Sequence, residues 1–167
     1  MFSATVTNTS LLRTVATHQF SSMSPAAAPV FRQLFDKESS TYTYLLACQE
    51  TKEAVLIDPV IEHSERDARV VRELGLSLKY VMNTHVHADH ITGIEIFDDL
   101  LSSTSSSPGT GRLKKLVPGC KSVLCEKSGG KADHLVKEGS KIVFGKQSVE
   151  VVETPGHTAG CITYIDR

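Results

Sequence analysis

An α/β (α+β) fold is predicted for this 167-residue chain by three observations. Short apolar and β-branched runs separated by polar turns fill its first half. In the middle, a strand-like run leads into a histidine-rich loop and then a segment with helical spacing. A hairpin and one more strand close the sequence. α/β architectures place ligands at the C-terminal ends of strands, and this chain carries its densest chemistry at such a point.

The length suits about one domain with a real core. The chain holds 18 Lys+Arg against 19 Asp+Glu. That balance argues against a nucleic-acid or acidic-membrane surface. No apolar run approaches the 18 or so residues of a membrane span. Cys48, Cys120, Cys125 and Cys161 are scattered with no C-x-x-C pair, which excludes a zinc ribbon or a thioredoxin-type motif. A chain of this size with an ordinary apolar fraction needs no disulfide scaffold, so the thiols imply a reducing compartment.

Residues 1–28 differ from the rest of the chain. Ten of them are Ser or Thr, Arg13 sits beside Leu11-Leu12, and no acidic residue precedes Asp36. A Ser-rich, Arg-bearing, acid-free start is the composition of an organelle transit peptide, and a disordered tail is the plainer alternative. Mitochondrial localisation (matrix) is expected, with plastid or cytoplasm as alternatives. Pro25 to Pro29 forms the junction to the folded part.

Phe31 to Phe35, Thr41 to Cys48 and Ala54 to Ile57 read as an antiparallel meander, with polar turns between them. Asp58-Pro59 ends the third run, because proline cannot donate to a continuing ladder. Asp58 is therefore a strand-end residue that could hydrogen-bond a ligand imidazole, or simply form a turn. Ser64 to Leu74 reads as a helix with Ser64 as N-cap, Val70, Val71 and Leu74 on its apolar face, and Gly75 as the stop. Tyr80 to Asn83 is a short buried strand. Ile91 to Leu101 has helical spacing, with acidic residues between its apolar ones.

The stretch 102–115 is rich in Ser, Gly and Pro and is expected to be a flexible surface insertion, with Arg112, Lys114 and Lys115 solvated. Ser122 to Cys125 is a further strand. Lys141 to Phe144 and Ser148 to Thr154 form a hairpin around Gly145-Lys146. Ile162 to Ile165 is the last strand.

Between the fourth strand and the second helix stands Thr84-His85-Val86-His87-Ala88-Asp89-His90. Three imidazoles and a carboxylate within six residues, at a turn, can converge on one ion. Neutral imidazole is the commonest side-chain ligand for zinc and iron, and a carboxylate adds a hard oxygen donor. After the hairpin comes Thr154-Pro155-Gly156-His157-Thr158-Ala159-Gly160-Cys161, whose Pro-Gly bend presents His157 at a tip. Paired with the earlier cluster, His157 becomes a ligand from a second segment. Cys161 is expected to be a small buried apolar residue, since no basic group is placed to make it a thiolate.

Together these residues resemble the metallo-β-lactamase superfamily, whose H-x-H-x-D-H loop and later G-H-T histidine match His85, His87, Asp89, His90 and His157. The resemblance implies a metallo-β-lactamase-like αββα sandwich with its metal at one edge of the sheets. Residues 30–167 would form the N-terminal part of such a domain. Within it the chain is similar to the persulfide dioxygenase family, the sulfur dioxygenases of the ethylmalonic encephalopathy protein type. The carriers are Arg32-Gln33-Leu34-Phe35, Ser40 to Leu46, Glu53 to Val60, Asn83 to Gly93 and Pro155 to Cys161.

That family implies one Fe(II) per intact chain, with zinc as the alternative. His85, His157 and an aspartate from a later Gly-Asp segment would hold it, leaving positions open for O2 and glutathione persulfide. Sulfite and glutathione would be the products, in mitochondrial sulfide catabolism. His87, Asp89 and His90, with Asp58, would orient ligands, or the loop residues would bind a second metal. The sequence reaches Arg167 without a Gly-Asp segment, and lacks the final superfamily histidine and the region that would hold glutathione. Asp166 follows the strand residues Ile162-Thr163-Tyr164-Ile165, with no glycine before it, and is not taken as the missing ligand. The expectation is thus of a domain incomplete at the C-terminus, an incomplete or inactive fragment of a dioxygenase.

Two rival readings stand beside it. One is a glyoxalase-II-like hydroxyacylglutathione thioester hydrolase, in which two metals generate hydroxide by lowering the pKa of bound water. The other is a non-catalytic truncated product with unpaired strand edges. Neither nucleic acid nor a membrane span is expected among the partners. The oligomeric state is open, a homodimer of the intact protein included.

Overall fold

The computed structural model describes residues 28–86 and 108–166. The larger sheet holds β1 (Val30–Asp36), β2 (Thr41–Ala47), β3 (Glu53–Ile57), β4 (Ser77–Met82), β5 (Lys121–Cys125) and β6 (His134–Val136), in that spatial order. The smaller sheet holds β7 (Lys141–Phe144), β8 (Gln147–Glu153) and β9 (Ile162–Asp166). β1 to β3 run antiparallel, as the short polar turns between them allow; β3 to β6 run parallel. Helix α1 (Ser64–Glu73) makes the crossover between β3 and β4, and α2 (Pro108–Leu116) precedes β5.

Alternation along the strands builds two cores, one on each face of the larger sheet. Val55 and Ile57 of β3, Met82 of β4 and Val123 of β5 point inward to Phe144, Val149, Val151 and Ile162 of the smaller sheet. Ala54, Leu56 and Val81 point outward to Ala68 and Val71 of α1 and Leu113 of α2. Central parallel strands are apolar on both faces because both are covered. A side chain as fully buried as Phe144 or Leu56 contributes about 1.5–3 kcal/mol through its transfer from water. The layers are therefore helix, sheet, sheet among the described residues. No helix among them is long and apolar enough to cross a membrane.

At the β7–β8 turn the sheets meet closely. Gly145 has φ +67°, and a Cβ there would lie 2.9 Å from Cys48 Cβ. Its N–H donates to Glu53 Oε2, which also accepts from Lys79 Nζ at 2.9 Å. Only glycine offers both that backbone region and that space.

Three expectations are corrected. Residues 108–116 are helix α2, not surface loop; residues 102–107 lie outside the described residues. Leu113 is completely buried against the larger sheet, and Thr110 is buried with it. Lys115 is exposed as expected, but Arg112 and Lys114 are not simply solvated. Arg112 pairs with Glu65 at 2.7 Å and Lys114 with Asp133 at 2.6 Å.

In α1, Ser64 is the first helical residue and not the cap, because a 3-10 turn (Ile61–His63) runs straight into the helix. Ser64 Oγ donates back to Ile61 O at 2.8 Å. The buried face is Ser64, Asp67, Ala68 and Val71, while Leu74 falls beyond the last turn and is exposed. The third correction concerns Cys161, which is half-buried rather than buried. The segment Ile91 to Leu101 lies outside the described residues.

Asp133 joins α2 to β5. Burial works to raise its carboxyl, but hydrogen bonds from Lys114 and from the Ser122 amide and hydroxyl outweigh that and bring it from 3.8 down to about 2. Because the folded value lies below the unfolded one, this stability is present above 3.8 and is lost as pH falls through about 2. Asp133→Asn will therefore flatten the acid limb of stability across that interval and leave the neutral limb's slope unchanged. Urea unfolding at stepped pH checks it; an unaltered acid limb would count against the assignment.

Candidate metal centre

Register brings the first segment together. Ile57 at the end of β3 pairs with Met82 at the end of β4, so the residues after both strands leave the sheet side by side. Asp58 N donates to Met82 O at 2.9 Å, and Asn83 N donates to Val123 O at 3.2 Å. Asp58 holds φ 51°, a region that Asp tolerates better than most side chains. The turn folds its carboxylate back over the end of β4. There Oδ1 accepts from Thr84 N at 2.8 Å and Oδ2 accepts from Thr84 Oγ1 at 2.7 Å. Thr84 Oγ1 in turn lies 2.9 Å from His85 Nδ1.

Burial pushes the Asp58 carboxyl upward, against the hydrogen bonds it accepts from the Thr84 hydroxyl and amide and from Asn83. A dication held at His85 would add to the pull toward the carboxylate form. Asn83 is fixed from several sides. Its Oδ1 accepts from Thr110 Oγ1 at 2.8 Å, and its carbonyl accepts from Tyr164 Oη at 3.0 Å. Burial above all, and then the nearby Asp58 carboxylate, keep the Tyr164 phenol well above its ordinary value, so it remains a donor.

The second segment is the loop between β8 and β9. Thr154 N donates to Cys161 O at 2.9 Å and closes its neck. Ile162 N donates to Thr84 O at 2.9 Å, so the loop is anchored beside the first segment. The result is that the rings of His85 and His157 stand 5.4 Å apart, centroid to centroid, at 81°. His157 is exposed at the loop's tip and His85 is half-buried. Thr158 N and Oγ1 contact Cys161 Sγ at 3.2 and 3.1 Å, which draws the thiol into the loop's own bonding.

Of the sequence-derived candidates, His85 and His157 come together, and Asp58 reaches His85 through Thr84. His87, Asp89 and His90 lie outside the described residues. Among the described residues no three His, Cys, Asp or Glu side chains gather as a metal-binding group. Asp166 stands four residues along β9 from Ile162, about 13 Å at strand spacing, so it is not beside Thr84. Sequence reasoning does not single out Thr84, Thr110 or Tyr164. The one signal it offers is that Thr84 directly precedes a candidate ligand.

Two imidazoles sharing an ion through nitrogens about 2.1 Å from it stand about 5 Å apart by centroid. The His85–His157 pair fits that arrangement. The family model of the metallo-beta-lactamase superfamily matches residues 36–167. The chain belongs to the metallo-β-lactamase superfamily. The sheet-on-sheet core with helices on the larger sheet's outer face matches three layers of that superfamily's αββα sandwich, and the two histidine segments follow β4 and β8, interior strands of the two sheets.

Within the superfamily the chain is similar to "Persulfide dioxygenase ETHE1, mitochondrial" of Mus musculus, at 47% identity over 152 residues, covering 90% of this chain and 54% of that protein. The Homo sapiens protein of the same name is 45% identical, with the same coverage of 90% and 54%. The crystal structure of ETHE1 from Myxococcus xanthus matches with a TM-score of 0.68 and 38% identity, over 82% of this chain and 53% of that one. The chain spans about half the length of the curated relatives it matches.

Proposed function

We propose that this chain serves a persulfide dioxygenase, in which glutathione persulfide, O2 and water give glutathione, sulfite and two protons. The observation that carries the reading is the 47% identity to a persulfide dioxygenase over 90% of the chain. His85 and His157 would hold a single Fe(II), and the donor chemistry of two imidazoles suits iron and zinc alike. Iron bound there would supply the oxygen-activating redox chemistry. The chain's own residues have a simpler task. His85 is steadied through Thr84 and Asp58, and the β8–β9 loop brings His157 to it. His87, Asp89 and His90 would orient these ligands, or bind a second metal in a hydrolase.

Metal identity and count test the reading. An intact domain carrying residues 30–166 in place of the corresponding part of the mouse relative, prepared anaerobically with iron, should bind one Fe and not two metals. The same domain should give persulfide-dependent oxygen uptake, with one sulfite formed per O2. Two metals with thioester hydrolysis would replace this reading with the glyoxalase-II-like one. The mitochondrial matrix is the proposed compartment, supported by the composition of residues 1–28. A reporter carrying those residues that stayed in the cytosol would remove that part.

A further inference from the structure

We infer that the Thr84 hydroxyl is a positioning group that selects which nitrogen of His85 faces the metal. This deepens the proposed metal site and rests on His85 being a ligand. The hydrogen bonds have a direction. A carboxylate accepts only, and Asp58 Oδ2 lies 2.7 Å from Thr84 Oγ1, so the threonine O–H donates to it. What remains on Thr84 Oγ1 toward His85 Nδ1, 2.9 Å away, is a lone pair. Nδ1 therefore carries the ring proton, and the lone pair of the imidazole sits on Nε2. The bond that one ring nitrogen makes sets the state of the other.

Three features make the arrangement more than a chance contact. Thr84 N donates to Asp58 Oδ1 at 2.8 Å, so carboxylate and threonine meet in a two-point contact that fixes the hydroxyl's side of the residue. Thr84 O accepts from Ile162 N, which anchors the same residue to the segment that carries His157. Asp58 is held in the turn by its own N–H to Met82 O. Residue 84 thus joins both histidine segments and also sets the ring state of one histidine.

Thr84→Val removes the hydroxyl while keeping the branched shape and the backbone bonds; Thr84→Ser restores the hydroxyl. Zn(II) affinity of the full chain, read by competition with a chromophoric chelator well below the melting temperature, should fall about 10–100-fold in Thr84→Val. It should return close to the wild-type value in Thr84→Ser. In the metal-free chain, 15N shifts should report the Nδ1–H tautomer of His85 in the wild type and a mixture in Thr84→Val. A lower melting temperature with unchanged tautomer and affinity would mean that Thr84 is only structural, and would overturn the inference.

If Thr84→Val does not fold, the wild-type tautomer still decides: Nε2–H in the wild type overturns the assignment. Failure of the metal reading looks different. There the wild-type chain takes up no stoichiometric Zn(II), or His85→Ala binds it unchanged, and the ligand-positioning role falls with it.

Discussion

His85→Ala and His157→Ala will each weaken Zn(II) binding by more than about 100-fold, because loss of a ligand must exceed the 10–100-fold typical of losing a group that only orients one. The two residues lie 72 positions apart in sequence, yet their rings are 5.4 Å apart, so each loss should be about as damaging as the other. His134 supplies the control. It packs edge-on to Tyr80, with centroids 5.6 Å apart, on β6 at the far edge of the larger sheet. His134→Ala should leave Zn(II) affinity unchanged. His157 is exposed, and substitution at an exposed site changes stability by about 0.5 kcal/mol or less. A collapse of affinity with a nearly unchanged metal-free melting temperature is therefore the expected pattern. Equal affinity of all three variants would place the metal elsewhere.

Much of the fold is legible in the sequence for a physical reason. A strand buried on both faces must be apolar at nearly every position, and Ala54 to Ile57 and Ser122 to Cys125 advertise that directly. The β7–β8 hairpin is equally plain, because Gly145-Lys146 joins two alternating runs. α2 is not, since its apolar contribution rests largely on Leu113 within a Ser- and Gly-rich stretch. One leucine carries no periodicity. β6 is only three residues long, too short for a pattern. The face of α1 departs from the expected one because Ser64 and Asp67 are buried polar residues, which a pattern of apolar positions cannot reveal.

At the site, residue types point to His85, His157 and Asp58, but not to the route between them. A threonine beside a histidine is too common to signal anything. Its meaning comes from the parallel pairing of β3 with β4, which sets the Asp58 turn over Thr84. Sequence separation hides such contacts: Asp58 and Thr84 are 26 residues apart. The loop tip carrying His157 is visible through Pro155-Gly156, whereas what holds that loop in place is not.

Besides its backbone hydrogen bonds the loop makes a close backbone approach at Gly160, and Gly160→Ala will expose this. A Cβ at Gly160 would lie 2.5 Å from Ser128 Cα and 2.6 Å from Ser128 N. Both are backbone atoms, so no side-chain rotation can relieve the clash. Ser128 cannot yield easily either. Its hydroxyl donates to Cys125 O at 2.7 Å and accepts from Gly130 N at 3.3 Å. Loop 154–161 must therefore move away from the turn at Glu126–Ser128. Overpacking of this kind typically costs about 1–3 kcal/mol. Because His157 lies three residues from Gly160 in the same loop, the shift also carries it from His85, and Zn(II) affinity should fall with stability. Denaturant unfolding and chelator competition on the same preparation measure both. Loss of stability with unchanged affinity would mean that the loop relaxes at its neck and leaves His157 in place. No loss of either would show that Gly160 is not a contact that the fold requires.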